Sequence, residues 1–291
     1  MNDMRPQQAI PVAEVASGKG KQDENFPVGS LLLDRRHRPH VHAYYGFARA
    51  IDDIADNSLL SPEAKVARLD AMEAAVLGRF GGEAASAGEL AHAVRLRASL
   101  ALTGVPATTA TDLIVAFRRD AVQPRTPDWD DLLLYCRYSA NPVGRYLLAL
   151  HGESEATAPA SDALCTALQV LNHLQDCADD LATLDRCYIP QDWLAQAGLD
   201  ETALRASAAG PALRRILDRL LDEVDALNRL AATLPGQVVD RRMRLEAAVI
   251  VGLSHRLATR LRREDPLAGR VKLRRNDVAG SLLGAARAWR R

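Results

Sequence analysis

Apolar residues recur at steps of three and four along almost the whole of this 291-residue chain, and nowhere do they alternate at period two over a strand's length. That pattern commits the chain to helices packed on helices. Over 39–57, Val41, Tyr44, Tyr45, Ala48, Ile51 and Ala55 share one face, and Pro39 suits a first turn, where its missing N–H is not needed. Ser61 before Pro62 reads as an N-cap with proline at the first helical position. It opens a helix expected to run to about Phe80, where Gly81 and Gly82 stop it. Further helices are expected over 89–102, ended by Gly104 and Pro106, over 109–121, from Thr126 through Cys136, and over 143–150 after a kink or break at Asn141 and Pro142. The longest, 161–181, is marked by Leu164, Leu168, Leu171 and Leu174; a connector over 183–190 precedes helices over 211–234 and 240–263.

Composition agrees. The apolar fraction is 48%, dominated by Ala and Leu, with aromatics at only 4%, and such a mixture favours helix over strand. No linker divides the chain and no repeat is visible. The expectation is one all-α domain over about 23–285, with the tail to 291 assigned to the same unit, after a flexible polar leader over 1–22. Basic and acidic residues balance at 37 each, which argues against a nucleic-acid binder working by bulk charge. The balance hides an asymmetry: 256–291 hold 11 basic residues against Glu264, Asp265 and Asp277, so this tail carries +8 and the rest −8. It reads either as a solvated helix face with a frayed end, or as a surface drawn to anionic lipid at ~1 kcal/mol per basic residue. No run approaches the ~20 apolar residues of a membrane span, and the leader lacks a signal-peptide core. Cys136, Cys165, Cys177 and Cys187 form no CxxC pair, so we expect reduced thiols in the cytoplasm and neither a zinc site nor a disulfide framework.

Two acidic clusters break the helical rules. Asp52, Asp53 and Asp56 form the first; Asp176, Asp179 and Asp180 the second. In each, two aspartates lie four apart and share a face, where like charges cost ~0.2–0.5 kcal/mol per pair. One such turn is ordinarily a solvated face or a cap. Two, inside strongly apolar helices, point to a site. Carboxylates on facing helices make an all-oxygen environment suited to Mg²⁺, which takes one or two carboxylates and fills its octahedron with water and substrate phosphates. Arg49 lies three before Asp52, Asn172 four before Asp176, and Gln169 seven before it. Arginine reaches phosphate oxygen, and Asn172 offers a further oxygen ligand. No glycine-rich phosphate loop, GxSxG or HExxH occurs. Tyr44 and Tyr45 taken alone read as core, and His37, His40 and His42 as surface or interfacial.

Five stretches carry a resemblance: Glu24-Asn-Phe-Pro-Val, Tyr45-Gly-Phe-Ala-Arg-Ala-Ile-Asp-Asp-Ile-Ala-Asp56, Tyr135-Cys-Arg-Tyr-Ser-Ala-Asn-Pro-Val-Gly144, Gln169-Val-Leu-Asn-His-Leu-Gln-Asp-Cys-Ala-Asp-Asp180 and Arg186-Cys-Tyr-Ile-Pro190. In this order and spacing the chain resembles the squalene/phytoene synthase family. The closing Arg270-Val-Lys-Leu273 is similar to that family's end. Glu-Asn-Phe-Pro, Ser-Ala-Asn-Pro-Val-Gly and Asn-His-Leu-Gln-Asp point within it to the hydroxysqualene synthases of bacterial hopanoid pathways.

The resemblance implies a class I terpenoid-synthase helical bundle with a central cavity, Mg²⁺ dependence, and conversion of presqualene diphosphate and water to hydroxysqualene and diphosphate. It puts Mg²⁺ on Asp52, Asp56, Asn172, Asp176 and Asp180, with Asp53 taken beside them as a candidate ligand. It puts substrate contacts on Phe26, Tyr45, Arg49, Tyr135 and Gln169, and a close approach of backbone or substrate at Gly144. Tyr45 and Arg49 join the four clustered aspartates as catalytic candidates, and the rings of Phe26 and Tyr45 could steady a carbocation. Condensing relatives carry serines where Asp23 and Asn25 stand, and arginine where Gln175 stands. Gln175 is therefore expected at the cavity rim, holding the quenching water. Two alternatives stay open: a condensing synthase acting on farnesyl diphosphate, and a non-catalytic helical protein that holds divalent cations or a partner. The partners implied are the isoprenoid diphosphate, sister enzymes of the hopanoid pathway, and peripheral contact with the inner face of the cell membrane.

Overall fold

Caps and breakers set the helix limits. A computed structural model of the protein describes residues 34–79 and 88–289; the leader, Phe26, Phe80, Gly81 and Gly82 lie outside them. Twelve α-helices are present among the described residues: α1 (Arg38–Asp56), α2 (Pro62–Val76), α3 (Leu90–Thr103), α4 (Thr108–Val122), α5 (Trp129–Ser139), α6 (Asn141–Leu150), α7 (Ala158–Thr183), α8 (Gln191–Gln196), α9 (Pro211–Ala231), α10 (Leu234–Gln237), α11 (Arg241–Leu261) and α12 (Arg275–Trp289). Ser61 Oγ accepts from the Ala64 N–H at the start of α2, Asp128 from Asp131 before α5, and Asp240 from Met243 before α11, each satisfying a donor that the first turn leaves open. Gly104 ends α3 in the left-handed region at φ 72°, where a side chain would be strained. Pro142 separates α5 from α6 by sitting in the first turn of the second helix.

The core falls into adjoining clusters that share walls. One joins α1 to α4 and α6 around Phe47, Ile51, Leu69, Met72, Leu113 and Tyr146. A larger one surrounds α7 with α4, α5, α8, α9 and α11, and buries Leu171, Leu174, Leu217 and Leu221. Burying one leucine side chain fully stabilises by about 1.5–3 kcal/mol. Leu171 and Leu174 thus outweigh the like-charge cost of the aspartates that α7 also carries. Among the described residues no strand forms, and the one extended contact is a single parallel bridge between Arg125 and Cys187.

The tail is not a frayed end. Helix α12 lies along α11 through Asp277, Ser281 and Ala285, and a Cβ on Gly252 would stand only 3.0 Å from Ser281 Oγ. Much of its positive charge is paired. Arg260 bonds Asp277 and Glu264, Arg262 reaches Asp222 and Asp225, and Arg270 reaches Asp176. All four cysteines are free, and burial pushes the Cys187 thiol up to about 11 and those of Cys165 and Cys177 to about 12. No helix of the described residues is long and apolar enough to cross a membrane.

Candidate active site

Helix α7 forms one wall of a cavity of about 410 Å³. Its Cys165, Leu168, Gln169, Asn172, His173, Asp176 and Asp180 all line it. These positions step by three and four, so one helical face runs along the cavity for ~20 Å at 1.5 Å per residue. The lining is graded. Along α7 the apolar Cys165 and Leu168 come first and Asp176 and Asp180 about two to four turns later; Phe117 and Val143 add apolar surface, and Arg49, Asp52 and Asp56 of α1 add charge. The two acidic clusters, 120 residues apart in sequence, therefore meet across one space.

Each cluster carries an arginine partner from elsewhere in the chain. Arg49 Nη1 donates to Asp52 at 3.1 Å within α1. Arg186, from the segment after α7, donates to Asp56 at 2.5 Å and to the Ala55 carbonyl at 2.9 Å. Arg270 Nη2 donates to Asp176 at 3.1 Å. Burial opposes the charge on Arg186, but Asp120 and Asp56 more than offset it, so the guanidinium is held above its ordinary range. Asp180 is buried, with its Oδ2 at 3.9 Å from His173 Nδ1.

A third group was not foreseen. Asp120 of α4 is 7% exposed and accepts from the Tyr135 hydroxyl at 2.8 Å and the Tyr188 hydroxyl at 2.9 Å. Burial raises its carboxyl above the usual range, against the pull of Arg186 and the two hydroxyls. His173 stacks on Tyr188 with ring centroids 3.7 Å apart, and Tyr135 tilts against Tyr188 at 5.1 Å. Burial also lifts both phenols well above their ordinary values.

Of the residues singled out from sequence, Arg49, Asp52, Asp56, Tyr135, Gln169, Asn172, Asp176 and Asp180 line this one cavity. Others stand elsewhere. Tyr45 is half-buried one turn before Arg49 and is not among the described lining residues. Asp53 does not line the cavity either; its Oδ1 is sealed from solvent without a hydrogen bond. Adjacent residues on a helix diverge by 100°, and here that step points Asp52 into the cavity and Asp53 away from it. Gln175, placed at the rim by sequence reading, is instead 2% exposed, with Nε2 donating to the Val271 carbonyl at 2.5 Å. It ties the C-terminal segment to α7 instead of holding water in the cavity. At Gly144 it is side chains of α7 that approach: a Cβ there would stand 2.4 Å from Ser161 Oγ and 2.7 Å from Cys165 Sγ. Phe26 lies outside the described residues. Asp120, His173, Arg186, Tyr188 and Arg270 were missed as site residues, although four of them fall within the stretches that carried the resemblance.

The donor set fits Mg²⁺ of the kind that shares its ligands with a phosphate. Asp52, Asp56, Asn172, Asp176 and Asp180 offer only oxygen for coordination, and five aspartates against three arginines line the cavity. No three acidic, histidine or cysteine side chains among the described residues form a closed cage.

Comparison with known proteins agrees with this architecture. The squalene/phytoene synthase family profile matches residues 19–277. A hydroxysqualene synthase of Rhodopseudomonas palustris is 43% identical over 273 residues, covering 94% of this chain and 91% of its own. One from Zymomonas mobilis is 40% identical over 276 residues, with the same coverage. The crystal structure of squalene synthase HpnC from Alicyclobacillus acidocaldarius superposes with a TM-score of 0.71 at 32% identity, over 84% of this chain and 90% of that one. The chain belongs to the squalene/phytoene synthase family of enzymes.

Proposed function

We propose that this protein converts presqualene diphosphate and water to hydroxysqualene and diphosphate, with Mg²⁺ as cofactor. The observation that carries the reading is the graded cavity: two aspartate pairs meet at its polar portion, and an apolar wall continues from them along α7. The similarity to named hydroxysqualene synthases supports the choice of reaction.

Asp52, Asp56, Asn172, Asp176 and Asp180 would hold Mg²⁺, which when bound neutralises the diphosphate and makes it a better leaving group. Arg49 and Arg270 bind diphosphate oxygens, a role the forked guanidinium suits. Gln169 and Tyr135 contact the substrate beside them. Phe117, Val143, Leu168 and Cys165 take the hydrocarbon and keep bulk water from the carbocation left when the C–O bond to diphosphate breaks. Phe26 retains the cation-steadying role that the family resemblance gives it; Tyr45, which does not line the cavity, is not given it.

The test supplies presqualene diphosphate or farnesyl diphosphate as sole substrate, with Mg²⁺, in oxygen-18 water. Labelled alcohol and diphosphate from the first are expected. An unlabelled alcohol, or turnover of farnesyl diphosphate alone to a hydrocarbon, would overturn the reading.

Contact with the inner face of the cell membrane belongs to the same proposal. Val278, Leu282 and Leu283 of α12 are exposed, and Lys272 and Arg275 beside them are exposed and make no ion pair among the described residues. Apolar and basic groups together suit an anionic lipid surface. Such contact would place the protein beside sister enzymes handling the same water-insoluble chain.

A further inference from the structure

The reaction proposed above makes an alcohol, so a water molecule must be held with its lone pair toward the cation and its proton must be taken. None of the acidic clusters or arginines assigned so far does this. The Asp120 group is built differently from them. Asp56 and Asp176 are hydrogen-bonded by arginines, whereas the hydrogen bonds found to the Asp120 side chain come from two phenols that line the cavity.

A phenol carries one proton and can also accept. Tyr135 directs its proton to Asp120 Oδ2 at 2.8 Å, and Tyr188 to Oδ1 at 2.9 Å. The alternative contact between the two hydroxyls, at 3.5 Å, is too long to compete. With both protons committed, each phenol oxygen is left as an acceptor. The arrangement is fixed on all sides: the His173 ring stacks on Tyr188, Tyr135 tilts against it, and Arg186 balances Asp120 from its own anchorage on Asp56 and the Ala55 carbonyl.

We propose that Asp120 is a positioning residue that fixes the Tyr135 and Tyr188 hydroxyls as acceptors for the water that quenches the carbocation. A water that donates to these oxygens keeps a lone pair free for carbon. As the new C–O bond forms, the water's proton passes to a phenol oxygen and that phenol's own proton passes to Asp120. The products are a neutral alcohol and a protonated Asp120, which returns its proton to the departing diphosphate. The preorganised phenol dipoles also favour positive charge where it develops.

This inference rests on water being the nucleophile, so the experiment reads two ratios from one assay. Wild type, Asp120→Asn, Asp120→Glu and Tyr188→Phe are given presqualene diphosphate with Mg²⁺, and diphosphate, alcohol and hydrocarbon are quantified alongside melting temperature. The Asn amide presents N–H groups to one phenol and turns that hydroxyl's proton away, and Phe removes one acceptor. In both, alcohol formed per diphosphate released should fall at least fivefold, with hydrocarbon formed by proton loss from carbon making up the difference. Asp120→Glu, which keeps the carboxylate, should recover part of the alcohol. A merely structural role would lower the melting temperature and all products together; an unchanged ratio in both variants overturns the proposal. A fall in Tyr188→Phe alone overturns the part given to Asp120. Wild type releasing diphosphate without alcohol overturns the parent reading, and this one with it.

Discussion

The two acidic clusters look alike in sequence and differ in the folded protein. Asp52 of α1 keeps 27% of its side chain exposed and has a partner one turn away in its own helix, Arg49. Asp176 of α7 keeps 7% and takes its partner, Arg270, from 94 residues further along. Asp56 and Asp180 are each at 11%, the first against Arg186 and the second near His173. Asp52 finds its partner within its own helix, whereas Asp56 and Asp176 take theirs, Arg186 and Arg270, from segments that fold over them from far along the chain. Burying a charge without a partner costs several kcal/mol, and removing one member of a buried pair exposes that cost. Local spacing thus supplies the partner of Asp52, and tertiary structure those of Asp56 and Asp176.

That contrast can be broken most sharply by activity. Asp52→Ala and Asp176→Ala should each lower turnover by on the order of 10²–10³, the range for losing one preorganised electrostatic contact, with helical circular dichroism retained. Near wild-type turnover with Mg²⁺ in either would refute the assignment of that carboxylate. Next comes stability. Arg186→Met removes the partner of Asp56 and the countercharge of Asp120, and should destabilise by about 3–4 kcal/mol. Arg270→Met leaves the buried Asp176 without that arginine, but the guanidinium is 24% exposed, so water offsets part of the loss and the cost should be smaller, about 1–2 kcal/mol. Urea titration of both variants at neutral pH would separate the two anchors, and equal losses would erase the distinction drawn here.

A further carboxylate serves as control, because no ion pair to it is found among the described residues. Glu246 of α11 is 8% exposed, its Oε2 is sealed without a hydrogen bond, and burial pushes its carboxyl up to about 7. The unfolded group ionises near 4.5, so below that pH both states are protonated and the burial has no electrostatic cost. As pH rises from there to about 7 the unfolded chain ionises first, and wild type loses on the order of 2–3 kcal/mol of stability. Glu246→Gln should therefore gain in stability relative to wild type between pH 4 and pH 8, as read by denaturation midpoints. A pH-independent difference would mean the carboxylate has a partner after all. The smallest effect concerns the tail. Lys272→Ser with Arg275→Ser should weaken flotation with anionic liposomes at low salt by ~1 kcal/mol per charge, and wild-type binding should fade at high salt. Equal flotation of both proteins would leave these residues as ordinary solvated surface.

What could be read from sequence follows the same division. Local rules gave the helix starts at Ser61, Pro142 and Asp240 and the pairs of aspartates four apart, because caps and side-chain phase are set within a few residues. They did not give Asp120, Arg186 or Arg270, since a lone charged residue carries no sign of which helix it will meet. Gln175 was misplaced for that reason: its helix was right, but its partner is a backbone carbonyl 96 residues on. Asp53 shows the finer limit, since composition counts it with its neighbours, and only the folded structure shows that its side chain is sealed away from the cavity that Asp52 and Asp56 line. Helix α12 was not read from sequence because its buried positions are Asp277, Ser281 and Ala285, small or polar residues that meet Arg260, Gly252, Val249 and Leu253 of α11 and leave no apolar stripe.

The segment after α7 has a consequence for how this chain tolerates change. Asp185 turns it back in the left-handed region at φ 52°, which aspartate accepts more readily than most residues. Backbone bonds then strap it to the approach of α5: Cys187 N–H to the Pro124 carbonyl at 2.9 Å, Thr126 N–H to Cys187 at 3.2 Å, and Gln191 N–H to Thr126 at 2.9 Å. Arg125 clasps Asp185 and Glu201 from outside. Connections between helices are ordinarily where a chain absorbs insertions, deletions and permuted ends. Here the register of a few non-helical residues decides whether Arg186 and Tyr188 reach the cavity at all. Length variation should therefore be purged from this connector and accumulate in others, and a designer seeking a graft point should look elsewhere in the chain.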